Sequence, residues 1–175
     1  MKKPKYNQNS VIRGALRRAF ARSPIVQEIM SQSRREVPRY KKDGTRHKKN
    51  SVQRQCQVCN SWVSSSQISV DHISPVISVD DGFQDWNEFI ARLWCSKENL
   101  QRICDECHNK KTYEERINRL LKKYIEELNI LEKQILDKVI DLKIAKKQLN
   151  KYIAKNKTKG LESVVERARE LKQKL

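Results

Sequence analysis

The sequence predicts an α+β fold, in which a small core of two strands and a helix lies between a basic helical segment and a long C-terminal helix. Two Cys-x-x-Cys pairs, Cys56/Cys59 and Cys104/Cys107, are separated by 44 residues. Between the two pairs, short segments have the apolar pattern of β-strands, either alternating with polar residues or in a short run. On both sides, apolar residues recur at helical spacing. We therefore divide the chain into residues 1–54, 55–112 and 113–175.

The composition of the 175-residue chain indicates a polyanionic partner. The formal charge is +17 and the pI is about 9.8, which favours nucleic acid over an anionic membrane. Residues 1–54 alone carry 16 Lys/Arg and 3 Asp/Glu. There is no apolar run of about 18 residues and no signal-peptide pattern at the start. We expect a soluble, intracellular protein without a membrane partner, whose cysteines stay reduced.

The N-terminal segment predicts a basic helical arm. Residues 1–9 are expected to form a solvated tail. From Ser10 to Met30, the apolar spacing predicts two short helices, with Ser10 as N-cap and a break at Ser23-Pro24. Such a stripe can dock on a domain while the arginines between its residues contact DNA phosphates: Arg13, Arg17, Arg18 and Arg22.

Residues 34–54 are interpreted as a basic connector with a turn at Asp43-Gly44. His47 lies among lysines in this connector, without an acidic or cysteine neighbour. It is therefore predicted to be a surface residue and not a metal ligand.

The paired cysteines predict a structural zinc site. Zn²⁺ in such sites is four-coordinate and favours thiolates, and the two pairs supply four sulfurs, from Cys56, Cys59, Cys104 and Cys107. In a reducing compartment, such pairs are more often zinc ligands than disulfides. The long gap excludes a short-loop finger and favours a ribbon or treble-clef knuckle pair with an inserted subdomain. Cys95 has no such partner and is predicted to be a buried free thiol.

Between the cysteine pairs, the sequence predicts a strand, a helix, a second strand and a second helix. The first strand covers residues 67–70 and ends at Asp71-His72. A capping-box pattern opens a helix over residues 85–94, whose aromatic and aliphatic residues are expected to form a core. Residues 99–103 predict the second strand, followed by a helix that carries His108 near its start. This order would bring Asp71-His72 and His108 together in a narrow metal cleft.

These motifs resemble the HNH, or ββα-metal, endonuclease family, and in particular its zinc-stapled branch in phages and prophages. The resemblance covers residues 55–112. It rests on three motifs: Asp71-His72-Ile73-x-Pro75, Asn99-Leu100-Gln101 and Cys104-x-x-Cys107-His108-x-x-Lys111-Thr112. The three signature residues of the family map onto His72, Asn99 and His108, and Asp71 stands where a metal-binding Asp or His is usual.

The resemblance implies a metal-dependent DNA endonuclease. His72 would take a proton from water, since histidine titrates near neutral pH. Asn99 would hold the imidazole N–H of His72. A divalent ion on Asp71 and His108 would stabilise the scissile phosphate and the leaving 3′ oxygen. One Asp and one His leave an open site, which favours Mg²⁺ or Mn²⁺ and tolerates Ni²⁺ or Zn²⁺.

The expected partner is double-stranded DNA, with Arg102, Lys110 and Lys111 as further candidate phosphate contacts. The resemblance also implies a phage protein acting in the host cytoplasm, in homing or in genome packaging with the large terminase. Nicking and double-strand cleavage both remain open. The alternative from another class is a non-catalytic, zinc-stapled DNA-binding protein.

The last third of the sequence predicts one helix of about 40 residues with a coiled-coil seam. Apolar residues follow a 4-3 spacing from Ile117 to Tyr152, interrupted only beside Val139. Gly160 should end this helix, and Ser163 should cap a short second helix. Two outcomes are open: a homodimer through the long helix, which the small size of the second helix favours, or a hairpin in which that helix folds back over part of the seam.

Overall fold

The fold is α+β, as predicted. In a computed structural model of the chain, residues 7–155 and 160–175 are described, and they form six α-helices, five strands and two short 3-10 turns. The chain divides into two compact units, Met1–Lys110 and Lys111–Leu175. The solvated tail predicted for residues 1–9 lies largely outside the described residues. Within the described ranges, no helix combines the length and apolar character needed to cross a membrane.

Two helices open the first unit and confirm the predicted break at Ser23-Pro24. They are α1 (Gln8–Phe20) and α2 (Pro24–Ser31). Helix α1 starts earlier than predicted, because the side chain of Asn7, and not that of Ser10, caps it by accepting a hydrogen bond from the Ser10 N–H at 3.0 Å. The two helices bury Phe20, Val26 and Ile29 in the core of the unit.

The basic connector contains two strands that the sequence did not predict. Strands β1 (Arg35–Val37), β2 (Ser51–Gln55) and β3 (Trp62–Ser64) form an antiparallel sheet in that order. All five residues of β2 are half-buried, so the alternation that would have identified the strand is missing. The predicted turn at Asp43-Gly44 lies in the hairpin between β1 and β2, and Gly44 has a φ of 81°.

A second, two-stranded sheet contains the two strands predicted between the cysteine pairs. Strands β4 (Ile68–His72) and β5 (Leu100–Cys104) pair antiparallel, and His72 faces Leu100. Helix α4 (Asp105–Leu136) begins directly after β5. The second cysteine pair therefore links the end of a strand to the first turn of a helix.

Helix α3 (Trp86–Leu93) lies between β4 and β5 in the sequence. It is capped as predicted, because the Asp85 side chain accepts a hydrogen bond from the Glu88 N–H at 2.9 Å. Phe89 and Leu93 are buried in the core, as expected. The predicted core was too large, since Ile90 and Trp94 are 42% and 43% exposed.

The second unit is a helical bundle and not one long helix. Helix α4 ends at Leu136, and α5 (Leu142–Lys155) and α6 (Glu162–Gln173) follow. Because α6 begins at Glu162, Ser163 lies inside it and does not cap it. Gly160 has a φ of 93°, and the residues between Lys155 and Gly160 lie outside the described part of the chain.

The break after α4 has the hydrogen bonds of a Schellman motif. Lys138 has a φ of 55°. Its N–H donates to the Ile135 carbonyl at 3.1 Å, and the Val139 N–H donates to the Gln134 carbonyl at 2.9 Å. The Asp141 side chain then accepts from the Lys143 N–H at 2.8 Å and caps α5.

Most of the predicted seam is buried or half-buried within this unit, although Leu142 at the start of α5 is 51% exposed. Its core combines residues of all three helices and of the segment before α6: Ile117, Tyr124, Leu128, Leu131, Leu149, Leu161, Val164, Ala168 and Leu171. Of the two outcomes left open, the fold-back describes the unit, with α5 as well as α6 covering α4. The seam on which the predicted homodimer depended is therefore occupied within one chain.

Candidate functional site

The four cysteines predicted as zinc ligands lie together. Their Sγ atoms are all within 4.8 Å of one another, and those of Cys59 and Cys104 are 3.9 Å apart. A tetrahedron with zinc–sulfur distances of about 2.3 Å has sulfur–sulfur edges of about 3.8 Å. The Cys104 N–H also donates to the Cys56 Sγ at 3.4 Å. The group, completed by Cys107, can therefore hold a metal such as zinc.

The electrostatics of the cluster favour a cation. Hydrogen bonds from Ser61 lower the pKa of the Cys59 thiol to about 6. Hydrogen bonding with Cys104 raises the pKa of the Cys107 thiol to about 12. The Cys104 thiol thus opposes the ionisation of Cys107, and a bound Zn²⁺ would remove that conflict because it takes sulfur ligands as thiolates.

The cluster joins two parts of the first unit. Cys56 and Cys59 lie in the turn between β2 and β3, where the Cys56 N–H donates to the Ser61 carbonyl at 2.9 Å. The other pair spans the junction of β5 and α4. Cys95 is a free thiol outside the cluster, as predicted, but it is half-buried and not buried.

Asp71 and His108, the predicted ligands of a second metal, face each other. The Oδ1 atom of Asp71 is 3.9 Å from the Nε2 atom of His108. Asp71 is the fourth residue of β4, and His108 lies in the first turn of α4. Two ligands at about 2.1 Å from one Mg²⁺ ion are at most about 4.2 Å apart. Adjacent ligands of an octahedral ion are about 3.0 Å apart and opposite ones about 4.2 Å, so an ion between Asp71 and His108 would require the two side chains to shift by a few tenths of an ångström.

His72 is next to this pair and is almost fully buried, with 6% of its surface exposed. Its Nε2 atom is 2.9 Å from the carbonyl oxygen of Leu93 in α3. Because a carbonyl only accepts, Nε2 donates this hydrogen bond, and in the neutral ring Nδ1 is then the nitrogen that can take a proton. The ring of Phe20 from α1 packs on the imidazole, with the ring centroids 5.0 Å apart.

The position of Asn99 differs from the prediction. Its side-chain oxygen accepts from the Ser74 N–H at 2.8 Å, and its side-chain nitrogen donates to the Ser74 carbonyl at 3.4 Å. Its backbone carbonyl accepts from the Ile73 N–H at 2.8 Å. Asn99 precedes β5 and lies opposite the residues that follow His72, so it fixes the loop after β4. The contact predicted for Asn99 on the imidazole is made by the Leu93 carbonyl.

Asp71, His72 and His108 line one cleft with a volume of about 490 Å³. Arg17 and Phe20 of α1 contribute to its wall. The sequence predicted that α1 would dock through its apolar stripe, but it did not place the helix at the cleft. The Leu93 carbonyl could not have been found from the sequence, because a backbone oxygen leaves no residue-type signal.

The predicted phosphate contacts on α1 and α4 are in different environments. Arg18, Arg22 and Lys110 are exposed. Arg13 and Arg17 lie over the rings of Phe83 and Phe89, with Cζ-to-centroid distances of 5.3 and 5.7 Å. Lys111 is half-buried and forms an ion pair with Glu115 at 3.6 Å.

Arg102, in contrast, is not placed to contact phosphate. It is 8% exposed, and its guanidinium donates to the Ile29 carbonyl at 2.9 Å and to the Gln32 side-chain oxygen at 3.2 Å. Burial lowers the pKa of Arg102. The prediction failed because the Arg102 side chain points into the protein from β5, where its guanidinium fastens the strand to α2.

Comparisons of the chain with family models, curated proteins and solved structures found no match. The resemblance described above therefore depends on the motif residues themselves.

Proposed function

We propose that the chain is a metal-dependent HNH endonuclease that hydrolyses phosphodiester bonds of double-stranded DNA. One observation carries the proposal: Asp71, His72 and His108 line the same cleft, with the Asp71 and His108 ligand atoms 3.9 Å apart. Nothing in the packing of a small core requires three such polar side chains around one cleft. The net charge of +17 suits a polyanionic substrate.

In the proposed reaction, Nδ1 of His72 takes the proton of the attacking water. The Leu93 carbonyl orients the ring by accepting the Nε2 proton. Asp71 and His108 would hold a divalent ion, with Mg²⁺ or Mn²⁺ as the working ion. When bound, that ion acts as a Lewis acid toward the scissile phosphate and the leaving 3′ oxygen. The products would carry 5′-phosphate and 3′-hydroxyl ends.

The cysteine cluster has no chemical step in this proposal. A zinc ion on its four thiolates would fix the start of α4 against β2 and β3, and would thereby hold His108 opposite Asp71. The proposed setting is a phage protein that acts on DNA in homing or in packaging with the large terminase.

The proposal is tested by incubating zinc-loaded protein with supercoiled and linear DNA across Mg²⁺, Mn²⁺, Ni²⁺ and Zn²⁺. Asp71→Asn should lower the cleavage rate by at least about 100-fold, because it removes the negative charge from one of the two proposed protein ligands of the ion. Asp137→Asn, an exposed carboxylate of the second unit, makes the same charge change and should cut like the wild type. Equal rates for both variants would remove Asp71 from the mechanism.

A second candidate function is a non-catalytic, zinc-stapled DNA-binding protein. The burial of His72 beneath Phe20, which is itself 5% exposed, favours it, because a general base must reach water. Tight DNA binding by intact protein that cuts with none of these metals would establish this second function.

A further inference from the structure

The segment between β1 and β2 is a well-formed β-hairpin, and we refer to residues 38–50 as the basic hairpin. The Lys41 N–H donates to the Thr45 carbonyl at 2.8 Å, and the Gly44 N–H donates to the Lys41 carbonyl at 3.1 Å. Gly44 has a φ of 81°, as expected for a three-residue loop that ends in a bulge. Below the turn, Tyr40 pairs with Arg46. These are backbone contacts, so side-chain substitutions leave them in place.

Six cations project from this short hairpin, and all six are exposed: Arg39, Lys41, Lys42, Arg46, Lys48 and Lys49. Among the described residues, none of the six forms an ion pair. The segment contains one acidic residue, Asp43, whose Oδ1 atom accepts from the Thr45 N–H at 2.9 Å and the Thr45 hydroxyl at 2.6 Å. The carboxylate therefore builds the turn and does not pair with the hairpin's cations.

The cations lie on both faces of the hairpin. Residues opposite each other in an antiparallel pair share a face, and neighbours along a strand alternate. Arg46 therefore lies on the same face as Tyr40, whereas Arg39 and Lys41 lie on the other face. Lys42 is at the tip. A ligand that this hairpin fits must present negative charge on two sides.

The base of the hairpin is fixed to the rest of the first unit. The Arg35 guanidinium donates to the Gln53 side-chain oxygen at 2.9 and 2.7 Å and lies 4.3 Å from the centroid of the Trp62 ring. Strand β2 then runs directly into Cys56 of the cysteine cluster. The hairpin is thus a short arm on an ordered base, so it loses little conformational entropy when it binds a ligand.

From these observations we propose that the basic hairpin inserts into the major groove of duplex DNA and contacts phosphates on both sides of the groove. The major groove is about 12 Å wide and admits a two-stranded β-ribbon. Phosphate rows on either side of it supply the two-sided negative charge. A membrane surface is flat and would leave one face of cations unused. The inference rests on the proposed function for the choice of DNA as the polyanion.

The test compares two charge-matched variants of the full-length, zinc-loaded protein. One is Lys41→Gln/Lys42→Gln/Arg46→Gln in the hairpin. The other is Lys146→Gln/Lys147→Gln/Lys151→Gln, three exposed lysines of α5. Binding to a labelled DNA duplex is measured by fluorescence anisotropy between about 50 and 200 mM salt, without added divalent ions so that the duplex stays intact.

The hairpin variant should bind at least about tenfold more weakly at low salt, and its slope of log affinity against log salt should be shallower by roughly 2 to 3, at about 0.9 per lost phosphate contact. The α5 variant should keep the wild-type slope. Equal changes in both variants, or none in the hairpin variant, would overturn the proposal. Duplex RNA of the same length should compete at least about tenfold less well, because its deep, narrow major groove does not admit a ribbon. Equal competition would overturn the groove assignment.

Cleavage assays on the same proteins separate this inference from the proposed function. If the wild type cuts DNA while the hairpin variant keeps full binding and slope, the hairpin proposal fails and the nuclease stands. If no metal supports cutting but only the hairpin variant loses binding, the nuclease proposal fails and the hairpin stands.

Discussion

Replacing one cysteine of the cluster should unfold much of the first unit. In Cys104→Ser the side chain becomes only slightly smaller, so the change acts mainly through the lost metal ligand. Cys104 is 5% exposed and belongs to a small core whose other buried members are Cys56, Ile68 and Ile103. Half of that core consists of cysteines of the cluster, so little apolar packing would remain to hold β2 and β3 against β5.

The expected size of the effect follows from this arrangement. Structural zinc binding contributes roughly 10–16 kcal/mol in zinc-finger peptides, against a total stability of roughly 5–15 kcal/mol for an ordinary domain. Losing one of four thiolates should therefore lower zinc content from about one ion per chain to nearly none. The cooperative thermal transition of the first unit should disappear. Helical signal from the second unit, whose core is separate, should persist.

Cys95→Ser is the matched control, because it removes a half-buried thiol that lies outside the cluster. It should retain zinc and its thermal transition. Zinc is measured by elemental analysis of the purified protein, and unfolding by circular dichroism. A Cys104→Ser protein that keeps both its zinc and its transition would refute the assignment of the cluster as the metal staple.

Three further predictions concern stability. Lys138→Gly should raise the unfolding free energy of the second unit by about 1 kcal/mol, because a φ of 55° strains any residue with a Cβ. Urea unfolding measures this gain, and no gain would mean that the turn is unstrained. Arg102→Met should destabilise the first unit by roughly 2–3 kcal/mol, because the buried Ile29 carbonyl loses its hydrogen-bond donor and the Gln32 side chain loses a second contact. It should leave the salt dependence of DNA binding unchanged, and a shallower salt slope would restore Arg102 as a phosphate contact. Burial raises the pKa of Tyr152, whose hydroxyl donates to the Tyr124 carbonyl at 3.0 Å. The neutral folded form is thus favoured, and stability should fall as pH rises above about 10, where the unfolded side chain ionises first. Tyr152→Phe should show a smaller alkaline loss in pH-dependent urea melts, and an unchanged loss would contradict this burial.

The central core was predictable because its signals are local. Two cysteine pairs, a strand ending at Asp71-His72 and a helix opening after Cys104 are each defined by residue type and spacing. A metal ion bound by both cysteine pairs would then hold this strand and this helix next to each other. The hydrogen-bond partner of His72 was not predictable, because every residue has a backbone carbonyl. Only the course of α3 places the Leu93 carbonyl next to the imidazole.

The error in the C-terminal region has a specific cause. A helix end is usually signalled by Gly or Asn at the left-handed position, and here that position is occupied by Lys138. The 4-3 spacing continued on both sides of it, so the pattern resembled a single coiled-coil helix. Asp141 was the available signal, since an Asp just before a new apolar stripe is a favourable N-cap.

The most direct test of the account is the single-turnover cleavage of linear duplex DNA by wild-type protein and His72→Ala, in Mg²⁺ and in Mn²⁺, with the ends mapped. The wild type should leave 5′-phosphate and 3′-hydroxyl ends. Removing the general base should slow cleavage by roughly 10²- to 10⁴-fold without weakening DNA binding. Cleavage at the wild-type rate by His72→Ala would contradict the assignment of the base. Failure of the wild type to cut in either metal would contradict the proposed nuclease.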